Sequence, residues 1–191
     1  LFLLWQWTKY PLNPLPSGVT GPVVIFSRDG ETAINPVTTD SHRELPRLKD
    51  FSPYLKNGVM ASEDARFYWH PGINPVSTAR AAYRWVRGEP TGGASTIPQQ
   101  LAKQLLGTET ERSLGNKLRE LAYALSLDLW WSKDTILTRY ADTVYLGNQV
   151  QGLQTAALAY FDRSLELLRP NQQLALLATL SRPSTRHPWS T

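Results

Sequence analysis

Two adjacent carboxylates beside an aromatic cluster are the first residues of the sequence that could do acid–base chemistry. They are Glu63 and Asp64, and Phe67, Tyr68 and Trp69 follow them. An apolar surround raises the pKa of a carboxyl towards neutrality, where the group can act as a general base. Adjacent residues of a helix point about 100° apart, so we expect only one of the pair to face a given cleft. The alternative is a solvated acidic pair beside a core tryptophan, because structural ion pairs far outnumber catalytic carboxylates.

His70 follows this acidic pair closely and raises the question of a metal site. The sequence contains no histidine spacing of the H-x-x-x-H type around it, which a helical metal site would need. We therefore interpret His70 as a structural histidine.

A glycine turn leads into a predicted helix start. Thr96 with Gln99 three residues later makes a capping box. The amides of that helix start, the glycines Gly92 and Gly93, and the hydroxyls of Ser95 and Thr96 could hold a phosphate, with Lys103 adding charge about two turns in. The segment is not a Walker loop, because the lysine does not follow directly on the glycines. By itself it is better explained as a glycine turn that caps an ordinary helix.

A basic segment then brings a second carboxylate. Lys117 and Glu120 are three residues apart and are therefore neighbours on a helix. Most such pairs are exposed and contribute only about 0.3–0.5 kcal/mol. In a cleft they would instead hold an anionic leaving group next to a second carboxylate. The next charged segment, 133–140, is interpreted as structural.

The elements that must position these residues are predicted to be mostly helices. Leucines 114, 118, 121, 125 and 129 form one apolar stripe, the pattern of a helix that packs on a core. Ser132 is a good N-cap for the next helix, and Pro170 suits the first turn of the last one. A β-branched run within 21–30 predicts a strand, and 31–52 is a loop or a second short strand.

Composition sets only broad limits. A chain of 191 residues fits one domain, and the absence of cysteine excludes disulfides and thiolate metal sites. A net charge of +4 suits nucleic acid, an acidic membrane surface or a phosphorylated substrate without choosing among them. Residues 1–10 resemble the end of a truncated transmembrane anchor, or an apolar segment that packs on the domain.

Taken in order, these segments resemble the peptidoglycan glycosyltransferase (family 51) domain of class A penicillin-binding proteins and monofunctional peptidoglycan transglycosylases. The motif E-D-x-x-F-x-x-H-x-G is met at every fixed position of 63–72, and G-x-S-T-[IL]-T-x-Q is met by 93–100 except at Pro98. The motif R-K-x-x-E keeps its lysine and glutamate but has Asn116 for arginine. A fourth motif is partly kept in 133–142. The likeness covers roughly residues 51 to 189.

The resemblance implies a fold and a domain order. It implies a mostly α, lysozyme-like helical lobe with a smaller, membrane-associated jaw around 73–90 and 105–111, where Trp85, Leu105 and Leu106 could contact lipid or pack in the core. A short extended segment precedes the lobe. The expected boundaries are a truncated anchor at 1–10, a linker with a short strand at 11–52, the glycosyltransferase domain at 53–182, and the start of a linker to a missing domain at 183–191.

The resemblance also implies a reaction and roles for single residues. Such domains polymerise lipid II: a sugar 4-hydroxyl attacks the anomeric carbon of the growing strand, and undecaprenyl pyrophosphate leaves. Glu63 would be the general base, and Glu120 would assist on the donor side. The residues expected to bind substrate or neutralise the pyrophosphate are Asp64, Ser95, Thr96, Gln100, Lys103, Arg112 and Lys117. Those with a structural role in the motifs are Phe67, His70, Gly72 and Gly93.

Partners and alternatives follow from the same resemblance. The partners would be lipid II, the growing strand, the membrane and a transpeptidase domain in a longer chain, but no nucleic acid. The site would face the periplasmic or outer side of the bacterial inner (cytoplasmic) membrane. No cofactor is fixed, although Mg²⁺ or Mn²⁺ often assists this family. Asn116 removes one charge from the expected pyrophosphate cluster, so a weakly active enzyme or a noncatalytic lipid II-binding scaffold is the alternative. A lytic enzyme would have no use for a basic pyrophosphate site.

Overall fold

The chain divides into two compact units, residues 1–45 and 46–191. The structure, a computed structural model, describes residues 24–26, 33–36, 51–89, 93, 95–107 and 113–188. In the first unit, β1 (Val24–Phe26) pairs antiparallel with β2 (Ala33–Pro36), with an irregular register between Ile25 and Phe26. This pairing confirms the predicted strand and places a second short strand after it. The anchor expected at 1–10 lies outside the described residues.

The regular elements among the described residues of the second unit are helices, apart from one isolated β-bridge between Tyr145 and Gln151, which confirms the mostly α prediction. Its helices are α1 (Pro53–Glu63), α2 (Pro75–Val86), α3 (Ile97–Leu105), α4 (Leu114–Trp130), α5 (Lys133–Thr143), α6 (Leu153–Phe161), α7 (Pro170–Ser181) and α8 (Pro183–Arg186). Two 3-10 turns, Phe67–Trp69 and Leu165–Leu167, connect them. Among the described helices, none has the length and hydropathy needed to cross a membrane.

The predicted helix starts are confirmed. Thr96 caps α3 with a complete capping box, in which its side chain accepts from the Gln99 amide and Gln99 accepts from the Thr96 amide. Ser132 caps α5 by accepting from the Thr135 amide at 3.1 Å. Proline in the first turn lacks an amide hydrogen that the helix does not use, so α3 tolerates Pro98 there.

The core of this unit lies where α3 packs against α4 and α5, and where α1 packs against α7. Its largest fully buried side chains include Leu55, Phe67, Ile97, Leu101, Ile136, Tyr140, Leu153 and Leu176. Each large apolar side chain of this kind contributes about 1.5–3 kcal/mol when it leaves water. Leu105, a candidate for lipid contact, packs against this core.

Helix α4 buries the opposite face from the one its leucines suggest. Leu114 is 72% exposed, Leu118 45%, Leu125 37% and Leu129 66%. Apart from Leu127, the buried residues of α4 are instead small or polar: Asn116, Glu120, Ala122, Ala124 and Ser126. The predicted helix is confirmed, but the expectation that its leucine stripe packs on the core is wrong. Small residues let the backbones of neighbouring segments approach α4 closely, and this approach determines which face is covered.

The segment after α7 packs back onto the same unit as far as the structure describes it. The Thr179 hydroxyl donates to the Arg186 carbonyl at 2.9 Å. The His187 ring stacks on Tyr160, with centroids 6.3 Å apart. Residues 183–188 are therefore held against the helices, and the domain boundary expected at 182 stays a prediction.

Candidate functional site

A cleft of about 330 Å³ opens where three segments of the second unit meet. They are the end of α1 with its following turn, the start of α2, and the segment that leads into α3. The lining residues are Ala61, Ser62, Glu63, Asp64, Ala65, Arg66, Asn74, Val76, Ser77, Arg80, Gly93, Ser95 and Thr96. The first two sequence motifs, 63–72 and 93–100, therefore meet at one cleft.

Glu63 is the carboxylate of this cleft with the properties of a base. It ends α1 and is half-buried, and its Oε2 accepts a hydrogen bond from Nε2 of Gln100 at 3.0 Å. Burial raises the pKa of Glu63, the Gln100 hydrogen bond lowers it, and the charge of Asp64 raises it; the net direction is upward. A carboxylate with a raised pKa is a stronger proton acceptor than a solvated one.

A buried tyrosine fixes the orientation of Gln100. The Tyr140 hydroxyl donates to Oε1 of Gln100 at 3.3 Å, and Tyr140 is fully buried on α5. Burial and the charge of Glu63 hold the pKa of Tyr140 well above its ordinary value, so the phenol stays neutral and keeps its proton. Three side chains from α1, α3 and α5 thus form one hydrogen-bond chain that ends at Glu63.

Asp64 faces inward and holds the site together. Its carboxylate oxygens contact Nε2 of His70 at 3.0 and 2.9 Å, and the Ile97 amide donates to the second oxygen at 3.1 Å. The side chains of Asp64 and His70 are only 3% and 4% exposed. Because these contacts occupy Asp64, Glu63 is the member of the pair that can serve the cleft. The buried contact with Asp64 is consistent with the structural role predicted for His70.

The rest of the first motif packs against its neighbours. The Thr96 hydroxyl donates to the Gly72 carbonyl at 2.6 Å. Gly72 has a φ of +73°, and a Cβ there would lie 2.4 Å from the Ala124 carbonyl oxygen, so only glycine fits. Lys133 donates to the His70 carbonyl at 2.6 Å and lies over the buried Phe67 ring at 5.1 Å. These contacts give 133–140 the structural role that the sequence predicted.

The third motif reaches the edge of the cleft through a lysine. Lys117 Nζ donates to Glu120 Oε2 at 2.9 Å and to Ser95 Oγ at 3.3 Å. The Glu120 side chain is 8% exposed, whereas Lys117 is 43% exposed. Since Ser95 lines the cleft, its contact with Lys117 links the buried second carboxylate to the site of Glu63.

The remaining predicted residues divide into three groups. Gly93 lines the cleft, and Lys103 follows Gln100 by three residues on α3, which places both on one side of the helix. Asn116, where the resembling family has arginine, is buried on α4. Arg112 lies outside the described residues, as does the side chain of Trp85.

Two arginines of the cleft, Arg66 and Arg80, were not singled out from the sequence. Val76, Ser77 and Arg80 line the cleft together because positions three and four apart share one face of α2. The spacing of these three residues after Asn74, a good helix cap, was the only signal in the sequence that places them on one helix face. It does not indicate which part of the protein that face would contact.

The residues of the cleft form no cage for a divalent cation. In the part of the chain that the structure describes, no three histidine, aspartate or glutamate side chains are grouped to hold a metal ion. Asp64 is occupied by His70 and Ile97, and Glu120 by Lys117. The need for Mg²⁺ or Mn²⁺ stays a prediction, and no step proposed for this chain passes through a metal.

Comparison with known proteins finds a family model described as Transglycosylase, which matches residues 30–191. The chain is similar to penicillin-binding protein 1A of Neisseria gonorrhoeae, with 35% identity over 168 residues, 87% of this chain and 21% of that relative. It is 36% identical over 169 residues to penicillin-binding protein 1A of Neisseria cinerea, again 87% of this chain and 21% of the relative. It is 34% identical over 169 residues to that of Escherichia coli (strain K12), 87% of this chain and 19% of the relative. The chain spans about a fifth of the length of the curated relatives it matches.

Proposed function

Because the chain belongs to the transglycosylase family, we propose that it is a peptidoglycan glycosyltransferase that polymerises lipid II into glycan strands. The observation that carries this proposal is the environment of Glu63. Its carboxylate lies in the wall of a cleft, its pKa is raised by burial, and the Gln100 amide holds it in place. A general base needs this combination of access to substrate and affinity for a proton.

In the proposed reaction, Glu63 removes the proton from the 4-hydroxyl of the acceptor sugar. The hydroxyl oxygen forms a bond to the anomeric carbon of the growing strand, whose bond to the pyrophosphate oxygen breaks. Undecaprenyl pyrophosphate departs with the electron pair of that bond, and the proton remains on Glu63 until water removes it. One base and one anionic leaving group account for every atom and charge.

The cations expected to neutralise that leaving group are Lys117, Lys103 and Arg112. Lys117 is partly exposed at the cleft edge, where Ser95 and Glu120 hold its ammonium. Glu120 holds the Lys117 ammonium in place by a hydrogen bond, which is the donor-side assistance we propose for this residue. Lys103 on α3 supports the same role by its position one turn after Gln100. The role of Arg112 rests on the sequence motif alone.

A noncatalytic lipid II-binding scaffold is the second candidate, and the buried Asn116 favours it. This neutral residue is buried in the first turn of α4, at the position where the resembling family has a cation. The intact Glu63–Gln100 and Glu120–Lys117 contacts favour the enzyme instead. We propose that the chain acts at the outer or periplasmic face of the bacterial cytoplasmic membrane, with a transpeptidase domain as its neighbour in a longer protein.

Incubation of the protein with labelled lipid II in detergent tests the proposal. The parent chain should form glycan strands on a gel, and Glu63→Gln should slow their formation by about 10²–10⁴-fold, the usual contribution of a general base. Glu166→Gln is the matched control, because Glu166 is exposed in the 165–167 turn and outside the cleft. Binding of lipid II without product would establish the scaffold, and release of fragments from intact peptidoglycan would establish a lytic enzyme. Polymerisation by Glu63→Gln at the parental rate would refute the role of the base.

A further inference from the structure

Two arginines that the proposed reaction leaves unused line the cleft of Glu63. Arg66 and Arg80 both contribute to its wall, and both are exposed. Within the described ranges of the chain, neither guanidinium makes an ion pair or a hydrogen bond with another residue. Glu63 and Asp64 line the same cleft, but neither carboxylate is ion-paired with these arginines, so both guanidinium groups can bind an anionic ligand.

The start of α2 positions Arg80. The Asn74 side chain accepts from the amides of Val76 and Ser77 at 3.1 and 3.2 Å, and Pro75 begins the helix. Val76, Ser77 and Arg80 lie on one face of α2, and all three line the cleft. A rigid, capped helix therefore carries the Arg80 charge into the wall.

Arg66 is held by the turn that follows α1. The Phe67 amide donates to the Asp64 carbonyl at 2.9 Å, and the Trp69 amide donates to the Arg66 carbonyl at 2.8 Å. Asp64 and Phe67, which lie near Arg66 in the chain on opposite sides of it, are buried. The backbone of Arg66 is thus fixed while its side chain remains exposed.

Neither guanidinium serves the carboxylate of Glu63. A cation in contact with a carboxylate lowers its pKa. The pKa of Glu63 is raised, and the groups that act on it besides burial are Gln100 and Asp64, with no arginine among them. The two positive charges are therefore available to something that enters the cleft.

We propose that Arg66 and Arg80 form an oxyanion subsite that holds the incoming acceptor by a charged group and presents its hydroxyl to Glu63. The identity of the acceptor rests on the proposed function. The subsite belongs to the acceptor rather than the leaving group because Glu63 shares its wall, whereas Lys103 and Lys117 do not line it. A guanidinium binds an oxyanion through two parallel hydrogen bonds, which fixes orientation as well as charge. In lipid II that oxyanion is the diphosphate or a carboxylate of the peptide.

Calorimetric titration of the chain with two probes tests the subsite and separates the two sources. The probes are inorganic pyrophosphate and a disaccharide-peptide without phosphate. Arg66→Gln/Arg80→Gln should lose about tenfold or more in affinity for one probe, and the affected probe names the group. Arg84→Gln is the matched control, since Arg84 lies one turn further along α2 and outside the cleft. Parental affinity of the double variant for both probes would overturn the proposal.

Polymerisation kinetics distinguish failure of the subsite from failure of the proposed function. The double variant should raise KM for lipid II more than it lowers kcat, and Arg80→Lys should restore part of the loss because it keeps the charge. If the parent polymerises lipid II and the double variant has parental kcat/KM, the subsite is refuted and the polymerase stands. If the parent makes no polymer but the titrations respond, the polymerase is refuted and the subsite stands. Circular dichroism verifies folding, and the single variants replace the double variant if it does not fold.

Discussion

Replacing Gly72 by alanine tests whether the cleft depends on close contact between the first motif and α4. Gly72 has a φ of +73°, and a Cβ there would lie 2.4 Å from the Ala124 carbonyl oxygen and 2.8 Å from its carbon. A left-handed conformation costs an L-residue about 1–2 kcal/mol. Forcing an extra methyl group into packed contact costs about 1–3 kcal/mol more. We therefore expect Gly72→Ala to lower the free energy of unfolding by about 2–5 kcal/mol.

Gly88→Ala is a control matched in backbone conformation. Gly88 has a φ of +70°, but nothing lies within 4 Å of a Cβ placed there. Gly88→Ala should therefore have the cost of the left-handed conformation but no steric clash. Both variants equally reduce the conformational entropy of the unfolded chain. The difference between the two, about 1–3 kcal/mol, measures the close approach to α4 alone.

Urea denaturation followed by tryptophan fluorescence, with thermal melting as a second measurement, gives this difference. At about 2–4 °C per kcal/mol for a domain of this size, Gly72→Ala should melt about 2–12 °C below Gly88→Ala. The reasoning is refuted if the two variants unfold within about 0.5 kcal/mol of each other, the range of surface substitutions without structural consequence.

Three further changes probe the carboxylates. Gln100→Met removes the hydrogen-bond donor that lowers the pKa of Glu63. The acidic limb of the plot of kcat/KM against pH should therefore move to higher pH. A move of this limb to lower pH would contradict the prediction. Glu63→Gln should raise the Tm of the protein at pH 7. Because folding raises the pKa of Glu63, the carboxyl destabilises the fold increasingly as pH rises from its ordinary pKa of 4.5 through the folded pKa, and the gain from the variant vanishes below pH 4.5. Equal melting temperatures of variant and parent at pH 7 would contradict this. Asp64→Asn leaves one acceptor oxygen for both His70 and the Ile97 amide. It should lower the free energy of unfolding in urea by about 1.5–3 kcal/mol. An unchanged urea midpoint would refute the structural role of Asp64.

Glu166→Gln serves as the control for these three variants. It removes an exposed carboxylate outside the cleft, so its pH profile, melting temperature and urea midpoint should match those of the parent.

Local signals in the sequence predicted local structure well. The capping box at Thr96, the cap at Ser132 and the first-turn proline at 170 all mark helix starts, because each satisfies or replaces a free amide within three residues. The first motif also predicted that only one of the two carboxylates would serve a cleft. Both carboxylates line the cleft, but Asp64 is buried against His70 and Glu63 is the more exposed of the two.

Features that depend on distant segments escaped prediction. The leucines of α4 predicted its inner face, but Gly72 lies against the Ala124 backbone and brings the small, polar side inward. Arg66 and Arg80 stand fourteen positions apart and share a cleft only because the turn after α1 and the start of α2 converge. The hydrophobic periodicity of one helix predicts neither the contact of Gly72 with α4 nor the shared cleft of Arg66 and Arg80.

The hydrogen-bond chain from Tyr140 through Gln100 to Glu63 has a direction, and the direction distinguishes the two oxygens of the base. The phenol donates to the amide oxygen of Gln100, so the NH₂ group must point towards Glu63 and occupy Oε2. A rotated amide would set Oε1 of Gln100 against the carboxylate, so that two acceptors would face each other without a proton between them, whereas the phenol could accept from the amide nitrogen. In the proposed reaction the substrate proton would therefore go to Oε1 of Glu63, because Oε2 accepts the hydrogen bond from Gln100.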